Sequence, residues 1–261
     1  MSAASGHHER WLRRFETAPE GATRLLALPH AGGSAPYFLP LARALTPELD
    51  VVCAQYPGRQ DRYREKPLES IEALADGLFE ALSSEPAGPL VLFGHSMGAV
   101  LAYELGLRIE RQGGADVLGV IASGRRAPTR HRAEEAVHLR DDDGIIAEIR
   151  ALNGTDPGVL NDDELLRMAL PALRADYRAV ETYRHRPEER LRAPVSVLTG
   201  ESDPHVTQEE ARAWQELTDG AFRYQSFPGG HFYLGTQQAA VTRAIRESVA
   251  AFRPAPSPTT P

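Results

Sequence analysis

The pentapeptide Gly94-His95-Ser96-Met97-Gly98 has the glycine–x–serine–x–glycine spacing typical of a serine nucleophile on a sharp strand-to-helix turn. Residues 90–93 form an apolar run typical of a strand, and residues 99–111 have a helical pattern. Glycine on both sides of the serine permits the close approach of backbone that such a turn requires. We therefore predict that the Ser96 hydroxyl projects above the end of a sheet, beside a helix N-terminus. The alternative is a glycine-rich turn with an incidental serine.

A serine nucleophile needs a base and a carboxylate that orients this base. The chain order serine, acid, histidine selects Asp203, which follows the apolar run 195–198, and His231, which follows 222–227. Both positions lie where a predicted strand ends, and sites in α/β sheets occur at that edge. We predict that His231 takes the proton of Ser96 and that Asp203 holds the imidazole of His231.

Other residues compete for these roles. Glu201 is an alternative acid, but it lies closer to the strand end and no proline follows it. His205 is an alternative base, but it follows the same strand as the acid. We expect His30, His95 and His205 to be structural polar residues.

An oxyanion hole requires backbone N–H donors directed at the developing negative charge. One donor is predicted at Met97, directly after the nucleophile. The second is predicted at Ala31, in the loop Pro29-His30-Ala31-Gly32-Gly33-Ser34, which resembles the HGGG loop of esterases. A generic glycine turn is the alternative for this loop.

A mostly parallel sheet would place the predicted triad and oxyanion residues at one edge, and the sequence contains short apolar runs that are typical of its buried strands. Strand–helix alternation predicts an α/β fold with helices on both faces of the sheet, here the α/β-hydrolase fold. The more polar run 222–227 is predicted nearer an edge. Apolar spacing predicts helices at 71–82 and 241–252. The buried strands are predicted at 25–28, 51–53, 90–93, 117–121 and 195–198.

The segment 125–190 interrupts this alternation because it contains no convincing strand. Helical patterns at 144–152 and 163–183, with Asp162 or Asp163 as an N-cap, predict a helical lid inserted between core segments 1–124 and 191–252. A simple pair of crossover helices is the alternative. Four prolines among residues 253–261 predict a disordered tail.

Composition limits the classes of function. A length of 261 residues suits one domain, and a net charge of −7 argues against wholesale nucleic-acid binding. The single cysteine, Cys53, excludes a disulfide framework and a multi-cysteine metal site. No apolar stretch is long enough for a membrane span, and the first residues contain no apolar signal core. We expect a cytoplasmic, monomeric protein that needs no metal or cofactor.

Seven segments are spread over almost the whole chain, from about Trp11 to Phe252. They are WLRRF at 11–15, LPHAGGSA at 28–35, YPGRQDR at 56–62, LFGHSMGAVLAYEL at 92–105, SGRRAP at 123–128, LPALRADYRAVETY at 170–183 and PGGHFYL at 228–234. Together they resemble the segments of type II thioesterases, the free-standing editing enzymes of polyketide synthases and nonribosomal peptide synthetases. The resemblance implies the triad and the oxyanion donors predicted above, and it matches segment 125–190 to a flexible lid. Where the family often has two glycines in the lid, this chain has Asn153-Gly154, which puts the flexibility of the lid in question.

The reaction implied by this resemblance is hydrolysis of an acyl thioester on the phosphopantetheine arm of a carrier protein, through an acyl-Ser96 intermediate. A general carboxylesterase, an acyl-CoA thioesterase and a non-catalytic binding protein on the same scaffold are the alternatives. The sequence leaves open whether the role is editing or programmed release. An acyl chain needs an apolar pocket, and the candidates to line it, each of which could instead be ordinary core, are Tyr37, Phe38, Met97, Met168 and Leu170.

Docking of an acidic carrier protein would need local positive charge on a protein that is itself acidic. Solvated surface arginines without a docking role are the alternative. Two clusters are candidates: Arg59, Arg62 and Arg64, and Arg125, Arg126, Arg130 and Arg132.

Overall fold

The computed structural model describes residues 3–132, 136–152 and 163–253. Its centre is a seven-stranded sheet with the order β1-β3-β2-β4-β5-β6-β7. All neighbouring strands are parallel except β1 and β3, which pair antiparallel. The strands are β1 Leu12–Arg14, β2 Thr23–Leu28, β3 Leu49–Ala54, β4 Pro89–His95, β5 Asp116–Ser123, β6 Val195–Gly200 and β7 Phe222–Phe227.

The α/β architecture predicted from the sequence is confirmed. Six of the seven strands coincide with predicted runs, and each is at most three residues longer than its run. The polar strand β7 lies at an edge of the sheet, as predicted. The strand β1 was not predicted, because three residues are too short to show an alternating pattern. The helices are α1 Ala3–Trp11, α2 Leu39–Leu45, α3 Ile71–Leu82, α4 Met97–Gln112, α5 Asp142–Leu152, α6 Asp163–Thr182, α7 Gln208–Arg212, α8 Tyr233–Thr236 and α9 Gln238–Phe252.

The sheet separates two hydrophobic clusters. Because successive side chains of a strand point to opposite faces, Leu26 and Leu28 of β2 pack with α3 and α4, whereas Leu25 and Ala27 pack with α2 and α9. Cys53 lies in the second cluster, where burial raises the pKa of its thiol to about 12. Both faces of the sheet are therefore covered, and the edge where parallel strands end is left to carry the site.

The first residues of helices α3 and α4 each have a local cause. The helix α3 begins at the predicted residue, because the Ser70 hydroxyl accepts a hydrogen bond from the Ala73 N–H at 3.2 Å. The helix α4 begins at Met97, two residues before the predicted run, because the turn at Ser96 leads directly into it. The helix α1 was not predicted; it packs through Trp11 against Gly77 of α3.

Between β5 and β6 the described residues contain helices and no strand, as predicted. The helices α5 and α6 form a small apolar cluster of their own, which includes Ile145, Leu170 and Leu173. The pair Asn153-Gly154, residue 162 and the tail from 254 onward lie outside the described residues. The side chain of residue 163, the other predicted N-cap, is also not described. In the part of the chain that is described, no helix is long and apolar enough to cross a membrane.

Candidate active site

Ser96 occupies a strained turn between β4 and α4. Its φ of 55° and ψ of −116° place a residue with a side chain in a region that costs about 1–3 kcal/mol. A Cβ on Gly94 would lie 1.9 Å from the Gly98 carbonyl oxygen, and one on Gly98 would lie 2.0 Å from the Leu28 carbonyl oxygen. Both positions therefore need glycine. The Ser96 side chain makes no capping hydrogen bond to α4, although serine at this position usually does.

His231 and Asp203 form a buried pair at the ends of β7 and β6. The Nδ1–H of His231 donates to Asp203 Oδ2 at 2.7 Å. The second carboxylate oxygen, Oδ1, accepts a hydrogen bond from the His205 backbone N–H at 2.9 Å. This pair of contacts fixes the imidazole tautomer that leaves Nε2 of His231 free to accept a proton. The rival acid Glu201 is exposed to solvent.

The side chain of His205 faces another group. Its Nε2 lies 3.3 Å from Glu148 Oε1 of α5, and its ring centroid lies 5.7 Å from that of His231. The Asp203 carboxylate thus accepts one hydrogen bond from the backbone N–H of His205 and one from the ring of His231. Asp203, the predicted acid, therefore contacts the imidazole of His231 and not that of His205.

Ser96 and His231 line one small cavity. The loop after β2, the turn before α4 and the helices α5 and α6 surround it. Among the described residues no hydrogen bond joins the Ser96 hydroxyl to His231, and such bonds are often long before substrate binds. The other lining residues are His30, Ala31, Met97, Arg125, Leu152, Tyr177, Val180, His205 and Phe232.

Two further histidines lie beside His231 and are held neutral. Burial, and then the nearby charge of His231, lower the pKa of His30 to about 3. Burial also lowers the pKa of His95 well below its usual value, with further contributions from His231 and His30. His95 Nδ1 lies 3.0 Å from the Ser123 hydroxyl, which in turn lies 2.6 Å from the Tyr233 hydroxyl. These rings form an uncharged wall behind the cavity.

Both residues predicted as oxyanion donors line the cavity that contains Ser96. Met97 is the first residue of α4, and the first N–H groups of a helix have no partner within the helix. Ala31 lies in the loop that follows β2. The assignment of their N–H groups to an oxyanion hole stays a prediction.

Four of the five residues predicted to line an acyl pocket do not line this cavity. Phe38 is buried in the core against Phe93, with ring centroids 5.6 Å apart. Met168 is 63% exposed, and Leu170 belongs to the cluster between α5 and α6. Tyr37 contacts the ring of His30, with centroids 4.5 Å apart, and so lies behind the cavity wall.

The apolar lining comes instead from residues that the sequence did not single out. Tyr177 and Val180 of α6, Leu152 of α5 and Phe232 after β7 line the cavity, together with Met97, the one pocket candidate that does. Apolar spacing predicts that α6 is a helix, but it does not tell which of its stripes faces the sheet.

Three of the docking candidates are not surface charges, so the prediction is wrong for them. Arg59 is buried in a bidentate ion pair with Asp176 of α6. Arg62 is buried over the ring of Trp11, 4.7 Å from its centroid. Arg126 is also buried, and its Nε–H donates to a backbone carbonyl oxygen at 3.0 Å.

The remaining candidates are more accessible. Arg64 is exposed and lies against Tyr63. Arg125 is half-buried and lines the cavity. Arg130 and Arg132 form ion pairs with Glu216 and Glu210, respectively, at 2.5 and 2.7 Å.

Comparison with known proteins places this chain among thioesterases. The family model described as "Thioesterase domain" matches residues 23–249. The chain is 52% identical to a probable cadicidin biosynthesis thioesterase of Streptomyces griseus, over 98% of this chain and 71% of that protein. It is 46% identical to thioesterase PikA5 of Streptomyces venezuelae, over 94% of this chain and 88% of that protein.

A solved structure is similar over nearly its whole length. The type II thioesterase BorB from the borrelidin biosynthetic cluster superimposes with a TM-score of 0.86 at 51% identity, over 92% of this chain and 97% of that chain. The seven-stranded sheet and its flanking helices therefore agree with an architecture known by experiment.

Proposed function

Since the chain belongs to the thioesterase family, as a type II thioesterase, we propose that it removes acyl groups from the phosphopantetheine arm of carrier proteins in a polyketide or nonribosomal peptide pathway. The supporting observation is that Ser96, on its strained turn, and the buried His231–Asp203 pair meet at one cavity. These three residues serve as the catalytic triad.

In the first half of the reaction, the Ser96 hydroxyl oxygen attacks the thioester carbonyl carbon and His231 Nε2 takes the hydroxyl proton. The carbonyl oxygen becomes an oxyanion, which accepts hydrogen bonds from the N–H groups of Met97 and Ala31. When the tetrahedral intermediate collapses, the C–S bond breaks and His231 returns the proton to the departing thiolate. The products are a free thiol and an acyl ester of Ser96.

In the second half, water attacks the acyl ester while His231 Nε2 takes a proton from it. The second oxyanion uses the same two N–H donors. Collapse then releases the carboxylic acid, and the proton on His231 restores the Ser96 hydroxyl. Asp203 stabilises the imidazolium that forms in each half-reaction, because its Oδ2 accepts the Nδ1–H throughout.

The helices α5 and α6 act as a lid in this proposal. Leu152, Tyr177 and Val180 of these helices line the cavity. Residues of α5 and of the first part of α6 form an apolar cluster separate from the two that flank the sheet, whereas Val180, near the end of α6, packs in one of those two. An acyl chain that entered the cavity would contact these side chains. The cavity is small, so a long chain requires α5 or α6 to move.

Docking of the carrier protein uses the accessible arginines rather than the buried ones. Of the candidates, Arg64 is exposed and Arg125 lies at the cavity. Charge steering raises association rates and is screened by salt. The second-order rate constant should therefore fall with ionic strength for a carrier-bound substrate and not for a small thioester; equal salt sensitivity would refute this part of the proposal.

The central test compares one acyl group on three leaving groups: a carrier protein, coenzyme A and an oxygen ester. We expect the highest kcat/KM for the carrier-bound thioester, and Ser96→Ala should lower kcat by about 10⁴-fold or more. Intact-mass measurement should detect an acyl adduct on the wild-type chain and not on Ser96→Ala. Equal rates for the wild type and Ser96→Ala would refute the proposal.

A further inference from the structure

The ion pair between Arg59 and Asp176 joins α6 to the loop that carries Ala31. Asp176 is fully buried, and Arg59 nearly so. The guanidinium contacts both carboxylate oxygens, Nη1 to Oδ2 at 2.6 Å and Nη2 to Oδ1 at 2.9 Å. The backbone N–H of Gly32, the residue after Ala31, also donates to Asp176 Oδ2, at 2.7 Å. One carboxylate therefore holds both a cation and a loop amide.

Other contacts hold the same loop from the side of β3. Arg59 Nη1 donates to the Gly33 carbonyl oxygen at 3.3 Å, and the Ala35 N–H donates to Gln55 Oε1 at 3.0 Å. Gln55 Nε2 in turn donates to the Arg59 carbonyl oxygen at 3.3 Å. The loop and the residue after it are thus attached at three backbone positions, in Gly32, Gly33 and Ala35. Two of the three attachments depend on the Arg59–Asp176 pair.

Apolar packing strengthens the attachment at Gly32. This glycine has a φ of +75°, and a Cβ on it would lie 2.3 Å from Leu173 Cδ2 of α6. Leu173 and Asp176 are three residues apart, so they lie on the same side of the helix. The turn of α6 that bears them therefore lies directly against Gly32, and no side chain fits between them.

We infer that Asp176 is a positioning residue for the reaction, which fixes the Ala31 N–H of the oxyanion hole by holding the adjacent Gly32 amide. This inference rests on the proposed function, because it assigns Ala31 as an oxyanion donor. Asp176 does not touch the substrate; it acts through the loop backbone. Charge-assisted and bidentate hydrogen bonds are short and directional, which suits them to fixing a backbone position.

Arg59 neutralises a charge that would otherwise oppose the reaction. An unpaired carboxylate close to the oxyanion hole would repel the developing oxyanion, and the bidentate guanidinium cancels this charge. In Asp176→Asn, the change in loop positioning and the loss of negative charge should therefore shift kcat in opposite directions. In this variant the Gly32 N–H keeps the asparagine carbonyl oxygen as its acceptor, but the NH₂ group faces Arg59 and breaks the bidentate contact that fixes this acceptor. Loss of the negative charge leaves the Arg59 cation unpaired near the oxyanion, which by itself would raise kcat, whereas looser positioning of the loop lowers it.

Glu181 provides a matched control on the same helix. It is also a buried carboxylate of α6, and it accepts hydrogen bonds from the backbone N–H groups of Val137 and His138 at 2.9 and 3.1 Å. Its contacts stabilise the segment between β5 and α6 without reaching the loop after β2. Asp176→Asn and Glu181→Gln therefore both weaken the anchoring of α6, but only the first acts on Gly32.

The test measures kcat and KM for a small acyl thioester, together with the inhibition constant of a trifluoromethyl ketone whose adduct with Ser96 bears an oxyanion. We expect Asp176→Asn to lower kcat by about 10-fold or more, since removal of a whole donor costs about 10²–10³. KM should stay within about twofold, and the inhibition constant should rise by the factor lost from kcat. Hydrogen exchange of the Gly32 amide should accelerate. Glu181→Gln should change none of these beyond about twofold.

Equal effects of the two variants on kcat, or a loss of kcat in Asp176→Asn without weaker ketone binding, would overturn the inference. If Asp176→Asn does not fold, Arg59→Lys carries the same test, because an ammonium retains the charge and cannot make the bidentate contact. A wild-type protein that hydrolyses no thioester would instead refute the proposed function. The two failures are therefore distinguishable.

Discussion

Asp203→Asn provides a sharp test of the triad, because the structure fixes how the new amide must orient. In the wild type, Asp203 Oδ1 accepts the His205 backbone N–H and Oδ2 accepts the His231 Nδ1–H. The His205 N–H can only donate, so an asparagine at this position must direct its carbonyl oxygen there. Its NH₂ group then faces His231 Nδ1.

The amide reverses the imidazole tautomer. With an N–H donor opposite, Nδ1 of His231 becomes the acceptor and Nε2 carries the proton. A protonated Nε2 cannot take the proton of Ser96. This tautomer change in a serine triad costs about 10⁴-fold in kcat, which is about 5.4 kcal/mol at 1.36 kcal/mol per tenfold change.

Folding should be almost unaffected, since asparagine is isosteric with aspartate and both hydrogen bonds are retained. We expect the free energy of unfolding to change by less than about 1.5 kcal/mol, the net contribution of one hydrogen bond. The assay is the rate of thiol release from a small acyl thioester, with urea denaturation in parallel. Glu201→Gln is the control, since that carboxylate is exposed and should leave the rate unchanged.

A rate for Asp203→Asn within tenfold of the wild type would contradict the orientation argument. Loss of activity in Glu201→Gln alone would identify the rival acid as the orienting carboxylate. Loss of folding in Asp203→Asn would contradict the isosteric exchange and show that the carboxylate charge stabilises the native state.

Two further substitutions test stability. Gly98→Ala should lower the free energy of unfolding by about 3 kcal/mol or more, because the new Cβ would lie 2.0 Å from a carbonyl oxygen of β2. A urea midpoint equal to that of the wild type would contradict this expectation. Burial by itself would raise the pKa of Glu85, but hydrogen bonds from Arg14 and His8 outweigh it and lower the pKa to about 2. Because the folded-state pKa lies below the unfolded value, the ionised carboxylate stabilises the fold above about pH 4.5 and loses that effect as the pH falls toward 2. Glu85 is partly exposed, so solvent screens its ion pairs, and Glu85→Gln should destabilise the protein by about 1–2 kcal/mol at pH 7 and by much less at pH 2. Urea denaturation at both pH values measures the difference.

The nucleophile turn was predictable because its requirements are local. A backbone as crowded as that between β4 and α4 admits only glycine at 94 and 98, and these two residues are visible in the sequence. The contact between Asp203 and His231 was predictable for a related reason. Each follows a strand that the apolar runs reveal, and parallel strands end at the same edge of the sheet.

The burial of Arg59 and Arg62 was not predictable in the same way. Arginine is rarely buried without a partner, so a sequence favours an exposed position for it. The partner of Arg59, Asp176, lies 117 residues further along the chain. Nothing local to residue 59 identifies this carboxylate. The pocket candidates failed for a comparable reason, since the stripe of α6 that faces the cavity is set by packing and not by its spacing.

The contact between Arg59, Asp176 and Gly32 joins three of the segments that carry the resemblance to type II thioesterases. Gly32 lies in segment 28–35, Arg59 in 56–62 and Asp176 in 170–183, and the structure brings them into one buried contact. Residues that act through a single amide should not contribute additively. We therefore expect Arg59→Gln to lower kcat strongly in the wild type and by less than about twofold in Asp176→Asn, because the bidentate contact that fixes the acceptor of the Gly32 amide has then already been lost. Full additivity of the two losses, measured with the same small thioester, would show that the segments act on the reaction independently.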